Sequence, residues 1–135
     1  MPKTDVTFWL TGEPVAKARP RWSHGRVYTP SKTTEAENAI RRAYKEANGQ
    51  EIQGPVCVSM TFSLQTPKNW SKAKKALAQV LELLPTKRPD LDNLVKTVFD
   101  ALNGLAYEDD KQICELHAYK TYNENPRTCV RVREI

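Results

Sequence analysis

Two carboxylates, Asp90 and Asp92, stand two positions apart in the run Lys87-Arg-Pro-Asp-Leu-Asp-Asn-Leu94, and three more acids follow at Glu108-Asp109-Asp110. Five acids thus frame one segment of a chain whose formal net charge is +5. A local acidic group in a basic protein suits a hard divalent cation. Such an ion takes oxygen ligands, one or two of them carboxylates, and lets a phosphate-rich partner complete its shell. The chemistry on offer is phosphodiester hydrolysis, in which the cation neutralises phosphoryl charge, stabilises the leaving oxygen and activates a water. The same residues also have a plain reading, because Asp at a helix start caps the first-turn amides. Both readings stay open, since the sequence does not show whether Asp110 approaches Asp90 and Asp92 in space.

The segment between the two acid groups has helical spacing: Leu91, Leu94, Val95, Val98 and Leu102, with Phe99 and Ala101 filling in. Pro89 cannot sit in a helix interior, so the helix starts at about Asp90. Asp90 is then the N-cap, with Asp92 and Asn93 in the first turn, and Gly104 is the stop. Lys96 falls four residues after Asp92 on the same face. It suits either a weak ion pair with Asp92 or contact with the scissile phosphate. Asp100 continues that face as a surface or supporting acid.

The 135 residues are expected to form a single domain spanning 1–135. Asp5 to Thr11 reads as a short strand, and Gly12 to Thr29 as a long, proline-bearing loop of the kind that is usually functional. Thr29-Pro30-Ser31 opens a helix whose inner face is Ala36, Ala39, Ile40, Ala43, Tyr44 and Ala47, ended by Asn48-Gly49. Val56 to Gln65 alternates and is the clearest strand. Ser71 caps a third helix carrying Leu77, Val80, Leu81 and Leu84 toward Pro85. Gln112 to Thr121 and Thr128 to Glu134 read as a terminal hairpin, with Val130 and Val132 inward. The fold class is α+β (mixed α/β): one sheet of about four strands with about three helices packed on it.

No apolar run reaches membrane-spanning length and the N-terminus has no signal-peptide core, so a cytoplasmic protein is expected. Cys57, Cys114 and Cys129 lie in separate strand-like runs and read as buried or half-buried free thiols. Zinc spacing is missing, and His24 and His117 look isolated. The basic residues cluster. Lys17, Arg19, Arg21, Arg26 and Lys32 lie in or near the first loop, and Lys68, Lys72, Lys74, Lys75, Lys87 and Arg88 surround the third helix, with Trp22, Tyr28 and Trp70 interleaved. Such groups neutralise phosphates and stack on unpaired bases, or simply keep a surface soluble. For Lys17, Arg19 and Arg21 in the proline-stiffened loop, phosphate contact is the better fit.

These motifs resemble a known family. Arg88-Pro-Asp-Leu-Asp-Asn-Leu-Val-Lys96, then Phe99-Asp-Ala-Leu102, then Asp109-Asp-Lys-Gln112, look like the signature of the RusA family of Holliday junction resolvases. Gly12-Glu-Pro-Val-Ala-Lys-Ala-Arg-Pro-Arg21 and Tyr28-Thr-Pro30 look like the opening of its phage and Gram-positive branch. The resemblance implies a RusA-like fold and a small homodimeric, Mg²⁺-dependent endodeoxyribonuclease, often prophage-borne, acting on four-way or branched DNA in recombination and repair. It implies Asp90, Asp92 and Asp110 as metal-holding catalytic acids, Lys96 as the catalytic lysine, and Asp109 as an accompanying acid. Lys17, Arg19, Arg21, Lys87 and Arg88 are the expected DNA contacts. No small-molecule cofactor and no membrane partner are expected.

Two other function classes compete. One is a nucleic-acid-binding module without catalysis, whose acids only cap a helix. The other is a phosphatase or sugar transferase using Asp-x-Asp, which fits poorly because a proline and two basic residues, not a buried apolar strand, precede the acids.

Overall fold

A computed structural model describes residues 3–135. The clearest alternating run in the sequence becomes the centre of the sheet. β1 (Asp5–Thr11) opens the chain, followed by a small hairpin of β2 (Arg21–Ser23) and β3 (Arg26–Tyr28) and then α1 (Ser31–Glu46). β4 (Val56–Gln65), α2 (Lys72–Gln79) and α3 (Leu91–Leu102) come next. A 3₁₀ turn (Asp110–Gln112), β5 (Ile113–Asn123) and β6 (Arg127–Glu134) complete the chain. The main sheet has the order β1-β6-β4-β5, with β4 parallel to β5 and the other pairs antiparallel. The α+β expectation of four main strands and three helices therefore holds. No helix among the described residues is long and apolar enough to cross a membrane.

One face of the sheet carries Val6, Phe8, Val58, Met60, Phe62, Val130 and Val132, all buried. The period-2 alternation of the strands puts these residues on one side. Ile40 and Tyr44 of α1 and Leu94, Val98, Ala101 and Leu102 of α3 pack into the same core. Each fully buried aliphatic side chain contributes about 1.5–3 kcal/mol relative to exposure. α3 is therefore fixed along its whole inner side. The other face of the sheet is open, with Trp9 and Tyr119 more than half exposed. β5 lies at the sheet's edge.

Several expectations need correction. The first loop is not structureless: its middle forms the β2–β3 hairpin, turning at His24-Gly25, both with positive φ. That turn chemistry is a hairpin signal. The third helix ends at Gln79, not near Pro85, because Leu81 adopts φ +65° and cannot continue it. Only Ala78 of α2 is buried, against Leu64 and Tyr122, while Leu77, Val80, Leu81 and Leu84 stay exposed. Cys114 is exposed rather than buried, because it sits on the edge strand. β5 begins at Ile113, with the residues before it forming the 3₁₀ turn. It does not form the expected hairpin with β6, because β4 lies between them and pairs with both.

The turn after α1 shows how tightly the core closes. Tyr44 is fully buried and its hydroxyl donates to the Gln50 carbonyl. A Cβ on Gly49 would come within 2.3 Å of the Tyr44 ring. Gly49→Ala should therefore displace that ring and cost about 1–3 kcal/mol. The readout is a lower urea midpoint at unchanged slope; an unaltered midpoint would show that the ring has room to move.

Candidate metal and nucleic-acid site

Asp90 occupies the N-cap position of α3 with extended backbone angles, as its sequence predicts. Its carboxylate makes no capping hydrogen bond. The plain reading of Asp90 as a helix cap is thus not the one the side chain adopts. Asp92, exposed in the first turn, accepts from the Asn93 N–H at 2.9 Å through Oδ1. Both carboxylates lie near the positive end of the helix, beside its unpaired first-turn N–H groups. The segment before them is held by Lys120 of β5, whose Nζ donates to the carbonyls of Lys87 and Pro89 at 2.7 and 3.0 Å. Nothing local in the sequence flags Lys120 for this role.

The second acid group sits at the other end of α3. The Asp110 N–H donates to Asn103 Oδ1 at 2.9 Å, and Asn103 is the C-cap of α3. Asp109 caps the 3₁₀ turn, accepting from the Lys111 N–H at 2.9 Å. Gln112 completes a capping box by accepting from the N–H groups of Glu108 and Asp109. The Gln112 amide also donates to the carbonyls of Ile52 and Gly54. The Asp109…Gln112 spacing is a sequence signal for this box. Asp109 is lowered from its usual carboxylate range, chiefly by the Lys111 N–H. Asp110 moves the opposite way. Desolvation, then the neighbouring Asp109 carboxylate and the Asp100 charge, raise it. Burial first, and then the charges of Asp110, Asp100 and Asp109, raise the hydroxyl of Tyr107, which donates to the Phe99 carbonyl at 3.0 Å.

Within one chain the expected trio does not converge. Asp90 and Asp92 lie at the start of α3, and Asp110 is anchored to its C-cap, Asn103. Thirteen residues of helical rise separate the two caps, roughly 20 Å. Among the described residues, the carboxylates of Asp90, Asp92 and Asp110 form no group within 4.8 Å. Lys96 is exposed between the two ends and makes no ion pair among the described residues, so of its two readings the weak pair with Asp92 is not formed.

The basic residues divide. Arg19, Arg21, Lys32 and Arg88 line a cleft of about 710 Å³ that also includes Asp90 and Asn93. The first loop reaches this place because the Lys17 N–H donates to the Asn93 carbonyl at 2.9 Å. Lys17 itself is engaged within the chain. Its Nζ lies 2.7 Å from Glu37 Oε1 and 3.2 Å from Asp100 Oδ2. Burial disfavours its charge, but those two carboxylates outweigh burial and the net shift is upward. Lys17 is therefore a strut joining the loop, α1 and α3 rather than a free cation. Lys87 is exposed, with its Nζ 5.9 Å from the Tyr122 ring centroid, outside the cleft lining.

Residues 11–133 match the family described as Endodeoxyribonuclease RusA. The chain is 39% identical over 137 residues to the uncharacterized protein YqaN of Bacillus subtilis (strain 168), covering 96% of each. It is 34% identical over 92 residues to the crossover junction endodeoxyribonuclease rusA of Lactococcus phage r1t, covering 67% of this chain and 62% of that protein. With nearly its whole length matched, and with the Asp90–Lys96 and Asp109–Gln112 motifs inside the matched span, the chain belongs to the RusA family of endodeoxyribonucleases.

Proposed function

We propose that this protein is a Mg²⁺-dependent, structure-selective endonuclease that nicks four-way or branched DNA as a homodimer, in recombination and repair. Each cation would be shared between Asp90 and Asp92 of one copy and Asp110 of the other. The observation that carries this reading is the pair of acid groups at opposite ends of α3, with the Asp90 carboxylate unused by its own helix. The name of the Lactococcus phage r1t relative favours a junction as the substrate.

The donor set fits a hard cation. Asp90, Asp92 and Asp110 are exposed oxygen donors, and desolvation, then crowding by Asp109 and Asp100, already opposes ionisation of Asp110. A positive charge would relieve that crowding. When bound, Mg²⁺ supplies charge neutralisation and an activated water. The chain's own residues do the remainder. Lys96, exposed on α3 between the acid groups, would contact the scissile phosphate and stabilise developing charge. Arg19, Arg21, Lys32 and Arg88 grip flanking phosphates beside Asp90. A twofold pair of such sites suits a junction, which presents two symmetry-related strands. The rival reading, a binding module whose acids only cap, is weakened by the missing cap bond at Asp90.

Asp90→Asn and Asp110→Asn should each drop nicking of a synthetic four-way junction below about a hundredth of the wild-type rate while binding persists. Mixing the two inactive variants under subunit exchange separates the geometries. A shared site leaves one intact centre per heterodimer, so single-strand nicking returns; continued silence would eliminate sharing. Removing Mg²⁺ with a chelator should stop nicking without releasing the junction.

Arg21→Ala and Arg88→Ala should each weaken junction binding about equally across sequences. Each should lower the dependence of log affinity on log salt by about 1. The same slope as wild type in both would remove the cleft from the DNA interface.

A further inference from the structure

The open face of the sheet holds a second, chemically different cluster. Parallel pairing sets Cys57 of β4 opposite Glu115 of β5, and Ser59 opposite His117. Glu115 and His117 are two residues apart, so both project to the same side. One ligand atom each from Cys57, Glu115 and His117 lies within 4.8 Å of the others. Cys57 Sγ donates to Glu115 Oε2 at 3.0 Å, and His117 Nε2 lies 3.3 Å from that oxygen. His117 is therefore not isolated. Sequence spacing could not reveal the group, because its members come from two strands 58 residues apart.

We propose that Cys57, Glu115 and His117 bind one borderline-soft transition metal ion, of the Zn²⁺ class. A thiolate, an imidazole and a carboxylate form a three-ligand set that such an ion accepts, leaving its fourth position for water. Mg²⁺ prefers oxygen alone and would not compete. The ion would replace the Cys57 thiol proton, released to solvent, and would displace Arg133, whose NH2 now lies 3.1 Å from Glu115 Oε2. That displaced pair is half exposed and worth little. The site lies on the sheet face opposite the α3 core, away from Asp90 and Asp92, and its effect would be to clasp β5 to β4.

Titrating the full chain with Co²⁺, in Mg²⁺ buffer, tests this. One equivalent should produce a near-ultraviolet sulfur-to-cobalt charge-transfer band that Zn²⁺ removes and excess Mg²⁺ does not. Cys57→Ser should abolish the band. His117→Ala, at an exposed position that leaves the core untouched, should weaken Co²⁺ affinity about tenfold or more. Asp90→Asn should leave the band in place. A protein with no such band at one equivalent overturns the proposal. So does a band that survives both Cys57→Ser and His117→Ala, or one that Cys114→Ser abolishes.

Discussion

The stiffness of α3 constrains everything built around it. Four of its side chains, Leu94, Val98, Ala101 and Leu102, are no more than 1% exposed and are locked against α1 and the sheet. Interiors packed at this density do not slide or bend to bring distant groups together. The acids before the helix and the acids after it are thus held at a set distance, far longer than any carboxylate–cation bond. The proposed pairing of two chains turns that separation into a ruler. It fixes how far apart two reaction centres stand on a branched substrate.

Charge is arranged around the same rod with little redundancy. Lys17 commits its ammonium to Glu37 and Asp100. Its backbone meanwhile binds the first loop to Asn93. That attachment carries Arg19 and Arg21 toward Arg88 and Asp90, so a partly buried ion pair positions the exposed cations. The pair is worth more than an ordinary surface bridge because Lys17 is only 19% exposed. Loss of both carboxylates would leave a largely buried ammonium uncompensated beside the core, which is costlier than never having had the pairs.

Much of this arrangement is legible from the chain alone. The limits of β1, the Ser71 cap and the start of α3 follow from alternation, capping chemistry and Pro89. The family motifs are contiguous, so their residues can be picked out by reading along the chain. What does not follow from sequence shares one physical cause. Exposure of Leu77, Val80, Leu81 and Leu84, pairing of Lys17 and the meeting of Cys57 with His117 all depend on which elements become neighbours. Periodicity reports which face of an element is apolar, not whether anything covers it. The spacing of Asp90 and Asp110 belongs to the same class. Sequence order places them around one helix, yet helix length decides that they stand apart.

β5 borders the sheet for 11 residues, long for an edge strand. Such a border solicits strand addition from other molecules. Glu115, His117 and Lys120 interrupt its apolar run, and a charged border discourages fibrillar stacking. This safeguard is electrostatic, so concentrated salt erodes it. At high ionic strength, colloidal failure of this protein would begin along β5.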